Sequence, residues 1–121
     1  MADKREKKRY PKRLKVCFGE SEPDRLAYTS DVSEEGVFIK TAVPKFLNRH
    51  VLVHLTISEE SQVLFEGRVK WAKRVPSAIL HKHPKAGFGV CISRFISGEE
   101  NFRRLIRDLN NQAAMKEDST G

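Results

Sequence analysis

Six short runs of this 121-residue chain place an apolar side chain at every second position, and that period constrains the fold more than any other feature. LKVCF (14–18) alternates, residues 25–32 alternate through Leu26, Tyr28, Ser30 and Val32, and GVFIKT (36–41) follows a turn. VLVHLTI (51–57) sets Val51, Val53, Leu55 and Ile57 against Leu52, His54 and Thr56. QVLFEGRVKWAK (62–73) aligns Val63, Phe65, Gly67, Val69 and Trp71, and GFGVCISRF (87–95) keeps Phe88, Val90 and Ile92 in step. Side chains alternate across a strand, so period two marks half-buried β-structure rather than helix. Six such strands in a chain of one-domain length predict a closed barrel or a small sandwich.

One segment changes period. Ser97 and Glu100 read as an S-x-x-E capping box, and Phe102, Leu105, Ile106 and Leu109 form one apolar stripe, so a single helix follows the last strand. Residues 111–121 are polar and are expected as a disordered tail. The stretch 74–86 is long for a hairpin loop and is expected to be mobile or to face a partner. The domain proper then spans 13–110, preceded by an arm, 1–12.

The arm is where the charge lies. Of the net charge of +7, residues 1–15 supply eight Lys or Arg against two acids, which leaves the body almost neutral. A basic arm points to an anionic partner: nucleic acid, a phosphorylated small molecule or a membrane surface. The plain alternative is a solvated terminus. With few apolar side chains beyond Tyr10, the arm is expected to be disordered in the free protein and ordered by its ligand. Cys17 and Cys91 lie far apart, no long apolar run is present and the mean hydropathy is −0.53, which together predict free thiols in a reducing cytoplasm and no membrane span.

Two motifs carry candidate chemistry. In KRYPKR, Arg9 and Arg13 stand four residues apart, and Pro11 disfavours helix between them. In an extended segment they share a side, their Cα atoms roughly 13 Å apart, a reach suited to a dinucleotide. Arginine reads guanine O6 and N7, and phosphate oxygens, by bidentate hydrogen bonds. In SDVSEEG, Asp31 and Ser33 would project from one face, and a carboxylate can accept from the N1–H and exocyclic amine of the same base. Gly36 would allow a positive φ or a close backbone approach to the ligand. The D-x-S-x-x-G spacing on its own is equally a tight turn between strands. Taken together, the two motifs complement a guanine carrying phosphate.

These segments resemble the PilZ domain, the cyclic di-GMP receptor module. The resemblance runs through R-Y-P-K-R (9–13), D-V-S-E-E-G (31–36), E-G-R-V-K-W (66–71) and G-F-G-V (87–90), in the family's order. It implies a six-stranded antiparallel β-barrel with a C-terminal helix, a cytoplasmic second-messenger receptor, and no cofactor beyond the ligand cyclic di-GMP. It further implies that Arg9 and Arg13 contact guanine edges and phosphates, while Asp31, Ser33 and Gly36 hold the base. Trp71 resembles a position that can lie against the ligand, although its parity suits a core residue equally. Where family members often carry two adjacent arginines, the leading residue here is Lys8, which keeps the charge but not the planar fork. That leaves the ligand stoichiometry open. Arg5 and Arg9 form a second R-x-x-x-R, and alignment on Tyr10–Pro11 would make Lys8 and Lys12 the equivalent pair, so the register is open as well, with Arg9/Arg13 preferred because both are arginines and the strand starts directly afterwards.

Catalysis is not expected. His81 and His83 flank Lys82 without a neighbouring carboxylate or thiol to complete a metal site, and His50 and His54 fall on a polar strand face. No nucleophile elbow, Walker loop or dinucleotide fingerprint is present. Two other readings remain: a small barrel binding single-stranded nucleic acid, disfavoured by charge confined to the arm, and an adaptor that binds only protein. A domain of this kind is expected to act through an effector protein.

Overall fold

The computed structural model describes residues 8–41, 50–73 and 87–120, with side chains described at 8–41, 50–70 and 87–115. The six alternating runs become β2 (Lys15–Gly19), β3 (Arg25–Ser33), β4 (Gly36–Lys40), β5 (His50–Ser58), β6 (Ser61–Lys73) and β7 (Gly87–Ser97). A further short strand, β1 (Arg9–Pro11), precedes them, and helix α1 (Glu99–Thr120) follows. Every pairing is antiparallel, in the order β3-β2-β5-β6-β7-β4, and β4 pairs back onto β3 to close a six-stranded barrel. Closure is how a small all-β protein removes exposed strand edges. Strand β1 pairs with β3 beyond the end of β2.

The barrel interior follows the alternation. Val16 and Phe18, Val51, Val53 and Leu55, Val63 and Phe65, and Phe88 and Val90 are all buried. Burial of each such side chain contributes about 1.5–3 kcal/mol. The stripe of α1, formed by Phe102, Leu105, Ile106 and Leu109, is buried as part of this same core. There Phe102 packs on Phe95 at 5.6 Å between ring centroids, and Asn101 Nδ2 donates to the Gln62 carbonyl at 3.0 Å. No described helix is long and apolar enough to cross a membrane.

The structure corrects four expectations. In β3 the core face is Ala27 and Thr29, not Leu26 and Tyr28; Leu26 is 59% exposed. A bulge between Thr29 and Asp31 then inserts one residue and flips the parity, so Val32 faces in while Asp31 and Ser33 face out. Second, residues 9–11 of the arm, expected without regular structure, form strand β1. They pair with Asp31–Ser33, because β1 prolongs β2 along the same neighbour strand. Third, α1 continues through Thr120 where a tail was expected from 111. The polar segment includes Gln, Ala, Met, Lys and Glu, strong helix formers that extend a helix already nucleated. Fourth, Ser97 is the last residue of β7, paired with Leu64, and the helix starts from Gly98, whose carbonyl accepts the Phe102 amide. Gly98 has φ +81°, and an added Cβ would lie 2.1 Å from the Gln62 carbonyl oxygen, so only glycine fits this corner. The expected loop at 74–86, with His81 and His83, lies outside the described residues, as does Arg5.

Candidate functional site

The bulge that reverses β3 creates the site. It places the Asp31 and Ser33 side chains on the outer wall, two residues apart. Arg9 sits opposite Ser33 in register, and its guanidinium reaches diagonally to Asp31, with Nε and Nη2 donating to Oδ1 at 3.1 and 3.0 Å. The second carboxylate oxygen accepts from Ser30 Oγ at 3.3 Å. Ser33 Oγ accepts the Glu35 amide at 3.2 Å, which leaves its hydroxyl proton to donate. A cavity of about 140 Å³ opens among Arg9, Asp31, Ser33 and Gly36, with Lys70 of β6 and Cys91 of β7 completing its wall.

Gly36 serves this site differently from the sequence expectation. It has no positive φ. It lies opposite Cys91, and an added Cβ would fall 1.8 Å from the Val90 carbonyl oxygen. The close approach that requires glycine is therefore that of β4 to β7, and it seats Cys91 in the wall of the same cavity as Asp31.

The Arg9–Asp31 pair is easily exchanged. Its side chains are 49% and 26% exposed, and ion pairs so hydrated contribute about 0.2–1 kcal/mol. A ligand offering donors to Asp31 and acceptors to Arg9 would displace little. Arg13 is placed apart, its guanidinium carbon 3.9 Å from the centroid of the Tyr28 ring. That stacking contributes about 0.5–1 kcal/mol at an exposed position, so Arg13 too can be recruited cheaply.

Between the two arginines the chain is pinned by a residue the sequence did not single out. Thr29 is fully buried; its Oγ1 donates to the Lys12 carbonyl at 2.7 Å and accepts the Leu14 amide at 2.9 Å. Main-chain bonds from Lys12 to Ser30 and between Thr29 and Leu14 flank it. One hydroxyl thus fixes the segment that spaces Arg9 from Arg13.

Of the residues predicted from sequence, Arg9, Asp31, Ser33 and Gly36 share one cavity, while Arg13 lies outside its lining, over the Tyr28 ring. Lys8 lines a separate cleft against α1. Trp71 pairs through its backbone with Gly89, but its side chain lies outside those described. Lys70 and Cys91 were missed. Parity places Lys70 on the outer face, yet only the β6–β7–β4 pairing brings it to Asp31. Away from the cavity, His54 Nε2 lies 2.8 Å from Gln62 Oε1 across the β5–β6 ladder.

Comparison with known proteins bears on the whole chain. No curated protein sequence matches it. Among solved structures, the Bacillus subtilis inhibitor of motility, MotI/DgrA, is similar with a TM-score of 0.71 at 18% identity, over 95% of this chain and 53% of that one. At that identity the likeness concerns the fold, and this chain spans about half of that protein. The family model of the PilZ domain matches residues 3–111, covering the arm from residue 3, the seven described strands and the packed turns of α1. A barrel closed in this order, with its D-x-S-x-x-G turn and arginine arm side by side, and a family match of that extent, place the chain in the PilZ domain family.

Proposed function

We propose that this chain is a cyclic di-GMP receptor that signals to a protein partner and binds its ligand without transforming it. The observation that carries the proposal is the convergence of Arg9, Asp31, Ser33 and Gly36, from segments 22 residues apart in the chain, on one cavity. In this reading Asp31 accepts from the N1–H and exocyclic amine of a guanine, and Ser33 donates its remaining proton. Arg9 leaves the carboxylate for guanine O6 and N7 or a phosphate oxygen, and Arg13 follows from the Tyr28 ring. Lys70 adds a cation on the far wall for phosphate.

The cavity of about 140 Å³ is small beside the 300–1,000 Å³ of pockets that enclose a drug-sized ligand. It suits one base edge, with the rest of the dinucleotide lying along β1 and the arm. Ligand binding then acts through the arm: Arg9 and Arg13 change partners, and the nucleotide adds its contacts to the β1–β3 pairing that already seats β1 on the barrel. Recruiting side chains from existing contacts offsets part of the interaction energy, so micromolar affinity is expected. Support for a signalling output comes from the family, whose members are binding and adaptor domains. The similar structure is that of an inhibitor of motility, and a protein partner is proposed for this chain in the same sense.

Calorimetric titration with cyclic di-GMP, GTP and a single-stranded oligonucleotide in parallel tests the proposal. Saturable binding of cyclic di-GMP alone is the expected result. Saturable binding of the oligonucleotide without cyclic di-GMP would replace the receptor with a nucleic-acid-binding barrel. No binding of any of the three would leave an adaptor for protein only.

A further inference from the structure

On β1 the side chains alternate, so Arg9 turns to the Asp31 cavity while Lys8 and Tyr10 turn the other way. There a second, larger cleft of about 490 Å³ opens where the arm, β7 and α1 meet. Its floor is apolar: Tyr10, Phe95, Phe102 and Ile106. Among the described residues its rim is cationic, with Lys8, Arg103 and Arg107 against the acid Glu34. Arg103 is engaged by Glu99 one turn earlier in α1, but among the described residues Lys8 and Arg107 form no ion pair. The Tyr10 hydroxyl donates to Asn110 Oδ1 at 2.9 Å, so the arm itself builds one wall of the cleft.

An apolar floor beneath a positive rim selects its occupant by charge. A polyanion that stacks bases needs open aromatic faces, yet Phe102 is only 2% exposed and Phe95 is packed against it. What fits is a single apolar side chain inserted from outside with carboxylates beside it. Interfaces of this form concentrate binding in a central anchor, and rim charges steer the encounter. We propose that this cleft is the docking site for an acidic segment of a partner protein, carrying one aromatic or aliphatic anchor between its carboxylates. The inference rests on the adaptor half of the function proposed above, and supplies the surface and the chemistry of the partner. Because Arg9 and Tyr10 are adjacent on β1, the same strand borders both the nucleotide cavity and the docking cleft.

The test is an amide-resolved NMR titration of the full chain with three probes: the blocked peptide Glu-Asp-Phe-Asp-Glu, its counterpart with lysine for every acid, and hexathymidylate. Saturable shifts at Tyr10, Phe95, Arg107 and Asn110 are expected for the acidic peptide alone. Affinity should fall about tenfold in Arg107→Glu, a surface change whose unaltered spectrum elsewhere reports an intact fold. Absence of saturable binding, shifts centred elsewhere, undiminished binding by Arg107→Glu, or tighter hexathymidylate binding at these residues would each overturn the docking site. The cyclic di-GMP titration is a separate measurement. Peptide binding without nucleotide binding removes the receptor and keeps the docking site, and the converse removes only the docking site.

Discussion

Thr29→Val isolates the hydroxyl that spaces the two arginines. Valine preserves the shape and removes the oxygen, leaving the Leu14 amide and the Lys12 carbonyl without their partner. Leu14 is only 7% exposed, so its amide is not rehydrated, and a buried orphan donor costs about 1–3 kcal/mol. The Lys12 carbonyl sits at an exposed residue, where water can replace the hydroxyl. The extra buried methyl returns at most about 0.8 kcal/mol. The net loss is then about 1–2 kcal/mol. With a urea slope of about 1–3 kcal/mol per molar for a domain of this size, the unfolding midpoint should fall by roughly 1 M. Thr29→Ser loses a methyl instead and costs about 1 kcal/mol, so stability alone does not separate the two variants. Amide exchange does. Leu14 should exchange faster than its neighbours in the valine variant and remain protected in the serine variant. A valine variant as stable as the parent, with Leu14 still protected, would refute the pinning role of the hydroxyl.

Three further outcomes are expected. Arg9→Ala and Asp31→Ala should each weaken cyclic di-GMP binding by about 1–3 kcal/mol in calorimetry. Both should shift stability by less than about 1 kcal/mol, because the pair they break is exposed; unchanged affinity would show that the cavity is not the ligand site. Lys70→Ala should lower affinity several-fold and flatten its salt dependence, whereas an unchanged salt response would place the phosphates elsewhere. Gly36→Ala should lower the unfolding free energy measured by urea titration by about 1–3 kcal/mol without any ligand present, since its Cβ meets the Val90 carbonyl oxygen at 1.8 Å. Unaltered stability with lost ligand binding would instead return Gly36 to a direct ligand role.

Features that depend on near neighbours along the chain were legible before any fold was known. Alternation in residues 51–57 and 62–69 foretold the buried face of β5 and β6, and the i, i+3, i+4 stripe of Phe102, Leu105, Ile106 and Leu109 foretold the packed face of α1. Both are periods set by local backbone geometry, independent of what the face packs against. The identities of Arg9, Asp31 and Ser33 as candidates were legible for the same reason, because hydrogen-bonding capacity belongs to the side chain. How they meet depends on contacts between distant segments. The alternation through Leu26 and Tyr28 pointed to the wrong face of β3, because an inserted residue at the bulge has no local signature and is specified by pairing with β4. Lys70 reaches the cavity across β7, and Thr29 became the hub of the arm through partners 15 and 17 residues away. The arm, polar and basic enough to read as free, is held because β3 offers it an edge and Asn110, 100 residues along the chain, meets the Tyr10 hydroxyl. Such contacts form only once barrel closure has brought distant segments together, so no window of the sequence contains them.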